Sequence, residues 1–209
     1  MAEDEDVAKL KTWWKEYGLT IVAGAVLGLG GIAGWNAWQS HQERRAEEAS
    51  GIYAGVVEAA AGDRHEEARS RAAHLIAEFP NIGYATLAAF VASASASAQG
   101  EWDEARSRLT WIEENASRHG YQDLARIRLA RVFLDEENPE SALEALRRVR
   151  PGAFDAVAEE LRGDILLARG EASGARSAWR TVLANESALP SSRARVRMKL
   201  DDLGHTQIP

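Results

Sequence analysis

The chain has 209 residues, 45% of them hydrophobic and 27% charged, with no cysteine and a net charge of −7. That length suits one domain, or one domain with an appendage, and the balance of residue types excludes a disordered or collagen-like chain. Without cysteine there is no disulfide, thiol chemistry or Cys-ligated metal, and 32 acids against 25 bases argue against a general polyanion-binding surface.

Residues 1–18 read as a short leader, acidic at Glu3, Asp4, Glu5 and Asp6. No charged residue then occurs between Glu16 and Glu43. Leu19 to Trp38 contains only Thr20 and Asn36 as polar side chains. At a rise of about 1.5 Å per residue such a run spans roughly the 30 Å hydrocarbon core of a bilayer. Trp13, Trp14 and Tyr17 mark one end and Trp35 and Trp38 the other, as expected of rings at two membrane interfaces. Three other readings are weaker. A cleaved signal peptide, with Gly31-Ile32-Ala33 as its site, would not begin acidic and has a shorter apolar run. A dinucleotide fingerprint at Gly28, Gly30, Gly31 and Gly34 has the wrong spacing and no strand before it. A buried core helix this apolar has little use in the remainder of the chain. A transmembrane helix over 19–39 is therefore expected. Gly24 with Gly28, and Gly30 with Gly34, give small-xxx-small spacings that suit close packing against another membrane helix. Lys9, Lys11 and Lys15 before the span, against Arg44 and Arg45 after it, lean toward a cytoplasmic N-terminus and an exported remainder.

From Ser40 onward helix formers dominate. Ala92–Ala98 alternates alanine and serine with period two, but without β-branched or aromatic residues it reads as helix. Four segments align on Ala68, Ala105, Ala142 and Ala175, at spacings of 37, 37 and 33 residues. Four positions later stand Ala72, Leu109, Leu146 and Trp179, and seven later Leu75, Ile112, Val149 and Val182. Offsets of 0, 4 and 7 share one helical face. A turn residue precedes each segment: Gly62, Gly100, Asn138 with Pro139, and Gly170. Twelve positions before the alanine lie Ser93, Ala130 and Gly163. In the first repeat, read with one extra turn residue, the equivalent is Gly55. Paired helices with a period near 34 residues resemble tetratricopeptide repeats, whose units stack into a continuous core with a concave inner face. The expected fold is all-α. A single N-terminal transmembrane helix precedes a tetratricopeptide-like α-solenoid of about four helix pairs over 40–209, closed by a capping helix from Ser192 to Leu203.

Three stretches carry a closer resemblance: AGAVLGLGGIAGWNAWQSHQ (Ala23–Gln42), IRLARVFL (Ile127–Leu134) and LRGDILLARGEASGARSAW (Leu161–Trp179). They resemble the family of tetratricopeptide-like ancillary subunits of the bacterial Sec translocon, over nearly the whole chain. The resemblance implies an inner-membrane protein with a periplasmic repeat domain. It implies the SecYEG channel and the membrane-anchored periplasmic chaperone PpiD as partners, alongside membrane lipid. The implied role is to help pass translocated chains to periplasmic chaperones. A regulatory adapter that sequesters a protein of envelope-stress signalling is the alternative it implies.

No catalytic constellation stands out. His41, His65, His74, His119 and His205 include no i, i+4 pair, so no helical metal site is expected. Glu66/Glu67, Glu113/Glu114 and Glu159/Glu160 are adjacent and diverge around a helix. There is no Gly-x-Ser-x-Gly and no P-loop. Arg193, Arg195, Arg197 and Lys199, followed by Asp201 and Asp202, read as a solvated cap and not as a nucleic-acid patch. Neither an enzyme nor a cofactor is expected. The repeat register points Leu87, Phe90, Leu124, Ile127, Arg131, Leu134, Glu160 and Asp164 into the inner groove, as candidates for contacting a partner segment.

Overall fold

The structure is a computed structural model that describes the backbone from Ala2 to His205. Side chains at 2–10, 12, 19–21, 23, 25, 26 and 205 lie outside the described residues. Every regular element among the described residues is a helix: α1 (Ala2–Ala61), α2 (His65–Glu78), α3 (Gly83–Ala98), α4 (Trp102–Asn115), α5 (His119–Asp135), α6 (Pro139–Arg147), α7 (Asp155–Ala168), α8 (Ala172–Ala184) and α9 (Pro190–His205). The all-α repeat reading holds, including a helix through the alternating Ala-Ser run of α3. The chain divides between Glu48 and Ala49 into two compact units.

Within the first unit, α1 presents large apolar side chains to the outside. Val22, Leu27, Leu29 and Ile32 are exposed, as are Trp13, Trp14, Tyr17, Trp35 and Trp38. The aromatics group at two levels, Trp13 with Tyr17 at 5.9 Å between ring centroids and Trp35 with Trp38 at 5.2 Å. Among the described residues no helix is long and apolar enough to cross a membrane. The transmembrane helix expected over 19–39 falls partly on side chains outside the described residues, and the described ones do not support it. Five glycines in the stretch also dilute its hydropathy.

The second unit begins with the last turns of α1. Each helix from α2 to α9 packs on the next, and α3–α5, α5–α7 and α7–α9 also touch, so α3, α5, α7 and α9 form one layer with the even-numbered helices packed against it. One backbone device repeats between the helices of each pair. Asp63, Gly100, Glu137 and Gly170 all adopt positive φ, from 55° to 79°. Each stands five residues before its register alanine, and each preceding helix ends two residues earlier. A single left-handed residue reverses the chain at the same point every time. The sequence reading placed two of these turns at Gly62 and Asn138, because glycine and proline are the visible turn signals, whereas the structure uses Asp63 and Glu137.

The equal connectors correct a second expectation. The first repeat has no extra turn residue, so Val56, not Gly55, is the counterpart of Ser93, Ala130 and Gly163. The four crossings then divide a shared space in opposite ways. Val56 faces a repeat whose fourth register position is only Ala72; Ser93 goes with Leu109, Ala130 with Leu146, and Gly163 with Trp179. Val56, Ser93, Ala130 and Gly163 are all buried, as are Ala72, Leu109 and Trp179. At the last crossing the fit is tightest: a Cβ on Gly163 would overlap Nε1 and Cδ1 of the Trp179 indole. That indole is 1% exposed, and its N–H donates to the Glu160 carbonyl and to Asp164 Oδ1, both at 3.2 Å.

Arginines stitch neighbouring pairs together. The residue after the register alanine is Arg69 in α2 and Arg106 in α4. Arg69 pairs with Glu101 and, at 2.8 Å, with Glu104, while Arg106 pairs with Asp103 and Glu136. In α6 the position holds Leu143, and there an open cleft lined by Leu143, Leu146, Ala158 and Leu166 separates α6 from α7.

Gly163→Ala is expected to cost about 1–3 kcal/mol by forcing the indole from its seat. Trp179→Leu, which copies the Ala130–Leu146 crossing, should make the double variant clearly more stable than the two single losses added together. Urea denaturation of the full chain measures both; strict additivity would refute the shared-space account.

Candidate partner-binding groove

The residues expected to face a partner lie on α3, α5 and α7, but not all of them remain open. Phe90 and Ile127 are buried at 6% and 3% exposure and belong to the core between helices. Leu87, Leu124 and Leu134 are half-buried and keep surface; Leu124 and Leu134 also pack on that core. Arg131 is exposed.

Glu160 and Asp164 serve a different purpose. Residues 160 and 164 lie one turn apart on α7, and residues 195 and 199 one turn apart on α9, so opposite charges meet in register. Arg195 Nε and Nη2 donate to the two oxygens of Glu160, each at 2.9 Å, and Ser192 donates its hydroxyl to the same carboxylate. Lys199 Nζ donates to Glu160 at 3.2 Å and to both Asp164 oxygens at 2.7 and 2.8 Å. With Glu160 6% exposed, these oxygens are committed within the chain and hold the capping helix. The reading of Glu160 and Asp164 as groups awaiting a partner gives way for that reason. The basic residues of α9 are likewise not one solvated set. Arg195, still exposed, and half-buried Lys199 pair with the acids of α7, and Arg193 donates to the carbonyls of Asn185 and Glu186. Spacing alone carried this signal, since Glu160-xxx-Asp164 is complementary to Arg195-xxx-Lys199.

Burial would push the Glu160 carboxyl up, but hydrogen bonds from Arg195, Ser192 and Lys199 outweigh it and hold its pKa at about 2. A second knot fixes the long α6–α7 connection. Buried Asp123 of α5 accepts from the Arg150 backbone N–H and from Arg150 Nε, at 3.2 Å each, and from Arg126 at 3.0 Å. Burial opposes that ionisation, yet the Arg150 hydrogen bonds and charge keep the Asp123 pKa below its usual value. Arg150 also donates to the His119 carbonyl at 3.0 Å and to Gln122 at 2.7 Å. No sequence pattern announced this knot, because its two halves lie 27 residues apart in a loop and a helix.

Arg128 of α5 was not among the expected residues. Its guanidinium lies over the Phe90 ring, 4.6 Å from the centroid. Phe90 in turn meets Tyr121 edge-on at 6.3 Å. Arg128 is one turn from Leu124 and three residues from Arg131, a placement legible in the helical period. In α1, an added Cβ at Gly24, Gly28, Gly30 or Gly34 would meet no described atom within 4 Å.

The sequence pattern of the tetratricopeptide repeat-like domain matches residues 11–205. The chain belongs to the tetratricopeptide repeat-like domain family. Among the relatives of this family member, a protein of Escherichia coli (strain K12) is 28% identical over 201 residues, covering 96% of each chain. One from Haemophilus influenzae is 26% identical over 96% of this chain and 97% of its own. A third, from Neisseria gonorrhoeae, is 26% identical over 97% and 98% respectively. All three are named ancillary SecYEG translocon subunit. Among solved structures, the TPR-like repeats of a kinesin light chain protein from Podospora anserina superpose with a TM-score of 0.56 at 15% identity, over 77% of this chain and 93% of that one. That likeness concerns the fold alone.

The ionised Glu160 stabilises the folded chain fully above its unfolded pKa near 4.5, and the contribution is lost as pH falls through about 2. Glu160→Gln should therefore lower stability at pH 7 by about 2 kcal/mol and flatten the fall in the urea midpoint between those pH values. Asp123 and Glu67, whose carboxyls are also held below their usual values by arginine partners, contribute to the slope that remains. An unchanged acid profile in the variant would contradict this assignment.

Proposed function

We propose that this family member is a membrane-anchored scaffold of the Sec translocon. α1 crosses the inner membrane over residues 19–39 with its N-terminus in the cytoplasm, and the repeat domain works in the periplasm. The observation that carries the reading is the end-to-end match to relatives named ancillary SecYEG translocon subunit. Two features of the chain support the anchor: an uncharged stretch of 26 positions between Glu16 and Glu43, and exposed apolar and aromatic side chains on α1 that favour a bilayer over water. The scaffold holds proteins and does no chemistry. Its inner groove receives segments of emerging chains or of a periplasmic chaperone such as PpiD, which would let it hand one to the other. Two open glycine pairs of α1, Gly24 with Gly28 and Gly30 with Gly34, each offer close packing to a helix of the channel.

Affinity capture of the full chain in mild detergent tests the reading. SecYEG subunits are expected to be retained. Gly28→Leu, which fills the Gly24/Gly28 pair, should weaken their capture several-fold while leaving the protein in the membrane pellet. Consistent absence of channel subunits would overturn the proposal. A stress-gene response to deletion that persists without PpiD would favour the regulatory adapter.

A further inference from the structure

Successive helices of the repeat domain reverse direction, so the connectors between pairs lie at one edge and the left-handed turns within pairs at the other. The chain enters the domain at Ala49, and it does so at the connector edge. Ala49 shares a core cluster with Phe79 of the first connector, and Tyr53 meets Tyr84, the second residue of α3, at 5.5 Å between ring centroids. Residues 40–48 alone separate this entry from the stretch proposed to cross the membrane. Fully extended they reach at most about 30 Å, so the connector edge is tethered close to the bilayer. α3 and α5, of 16 and 17 residues, put the other edge about 24 Å farther along. That is more than two Debye lengths at physiological salt, so bilayer charge acts on the near edge and hardly on the far one.

The two edges differ in charge. The near connectors, 79–82, 116–118, 148–154 and 185–189, carry Arg118, Arg148 and Arg150 against Glu186 alone. The far turns, 62–64, 99–101, 136–138 and 169–171, carry two arginines against five acids. With one helical turn on either side included, the near edge holds a single net negative charge and the far edge ten. Near an anionic surface only one of these edges is tolerated. The near arginines divide the work. Arg148 and Arg150 are tied to Glu113 and Asp123 and shape the long connector. Arg118 is exposed, and Arg147 pairs only with Glu144 at a site where both side chains remain 72% and 61% exposed. Such a surface pair is worth little and exchanges readily for a phosphate, whose oxygens suit the guanidinium fork.

The same edge is apolar where it is not basic. Leu189, 65% exposed, is the most exposed large apolar side chain described in the second unit, and Pro80, Pro151 and Ala153 are exposed at the neighbouring connectors. Tyr84, Tyr121 and Phe154 each stand nine residues before Ser93, Ala130 and Gly163, which sets a half-buried ring at the same height in three successive pairs. Rings, arginines and single apolar tips together are the composition that favours a headgroup layer.

We propose that the connector edge of the repeat domain docks on anionic lipid headgroups, with Arg118 and Arg147 taking lipid phosphates and Leu189 entering the headgroup layer, so that the acidic edge points away from the membrane. The proposal rests on the anchor reading and adds which edge of the scaffold meets lipid.

The chain has no cysteine, so one introduced thiol can carry a fluorophore. The full chain, labelled at Ala153→Cys or at Gln99→Cys on the far edge, is placed in nanodiscs whose headgroups bear a spin-label quencher. Label 153 should be quenched at least about twofold more in discs containing phosphatidylglycerol than in pure phosphatidylcholine, and about 0.5 M salt should remove the difference. Label 99 should stay bright in both. Arg118→Gln/Arg147→Gln should lower the docked population at least about fivefold, since each arginine near an anionic surface carries about that factor. Arg131→Gln/Arg197→Gln, the same charge loss away from the connectors, should leave it unchanged. Should the connector variant fail to fold by circular dichroism, the dependence of label 153 on lipid charge and salt decides alone. Equal quenching in both lipids, quenching of label 99 to the same extent, a connector variant that docks like the parent, or a label that responds only to co-reconstituted SecYEG would each overturn the proposal. A chain that fails to co-elute with the discs sinks the anchor reading and this proposal with it, whereas a co-eluting chain with label 153 unquenched sinks this proposal alone.

Discussion

Two helices can cross closely only if the room at the crossing is divided between them. In this chain that room is divided four times in one register, and each time differently: valine against alanine, serine against leucine, alanine against leucine, glycine against tryptophan. Interiors pack to a nearly fixed density, so a large residue on one helix demands a small one on the other. The repeating left-handed residue before each second helix keeps the crossing at the same height in every pair. Everything else in the repeat domain follows from that spacing: the two layers, the row of inner helices, and the faces those helices leave open.

A stack of this kind has an end, and an end exposes a face meant for a neighbour. Here the last pair is closed by charge as well as by apolar contact. Val196 and Leu203 of α9 enter the core with Trp179, while Arg195, Lys199 and Ser192 satisfy the acids of α7. The same economy runs through the domain, where acids on one pair meet arginines on the next.

Much of this architecture was legible in the amino-acid sequence. The alanine register and its companions four and seven residues on identified the paired helices, because burial of one helical face imposes a 3.6-residue period on residue size and polarity. The capping helix was legible for the same reason. The turns at Asp63 and Glu137 were not, since only glycine and proline announce a turn by residue type. That hid the equal length of the connectors and put Gly55 in place of Val56. Glu160 and Asp164 were assigned to the groove because a single helix shows which face a residue occupies, not which helix later covers it. Arg128 went unnoticed because stacking on a buried ring depends on a contact 38 residues away in sequence, between α3 and α5. The Asp123–Arg150 knot belongs to the same class of long-range contact.

The proposed role joins an uncharged, aromatic-flanked stretch of α1 to a helical stack that would hold segments of other proteins. Its central claim is one of place, with leader and repeats on opposite sides of a bilayer. Protease treatment of spheroplasts carrying the full chain, tagged at each end, tests it most directly. The account predicts that external protease destroys the C-terminal tag and the repeat domain, spares a small membrane-bound N-terminal fragment, and that alkaline carbonate leaves this fragment in the pellet. A chain protected along its whole length until the cells are lysed, or released by carbonate, would contradict it.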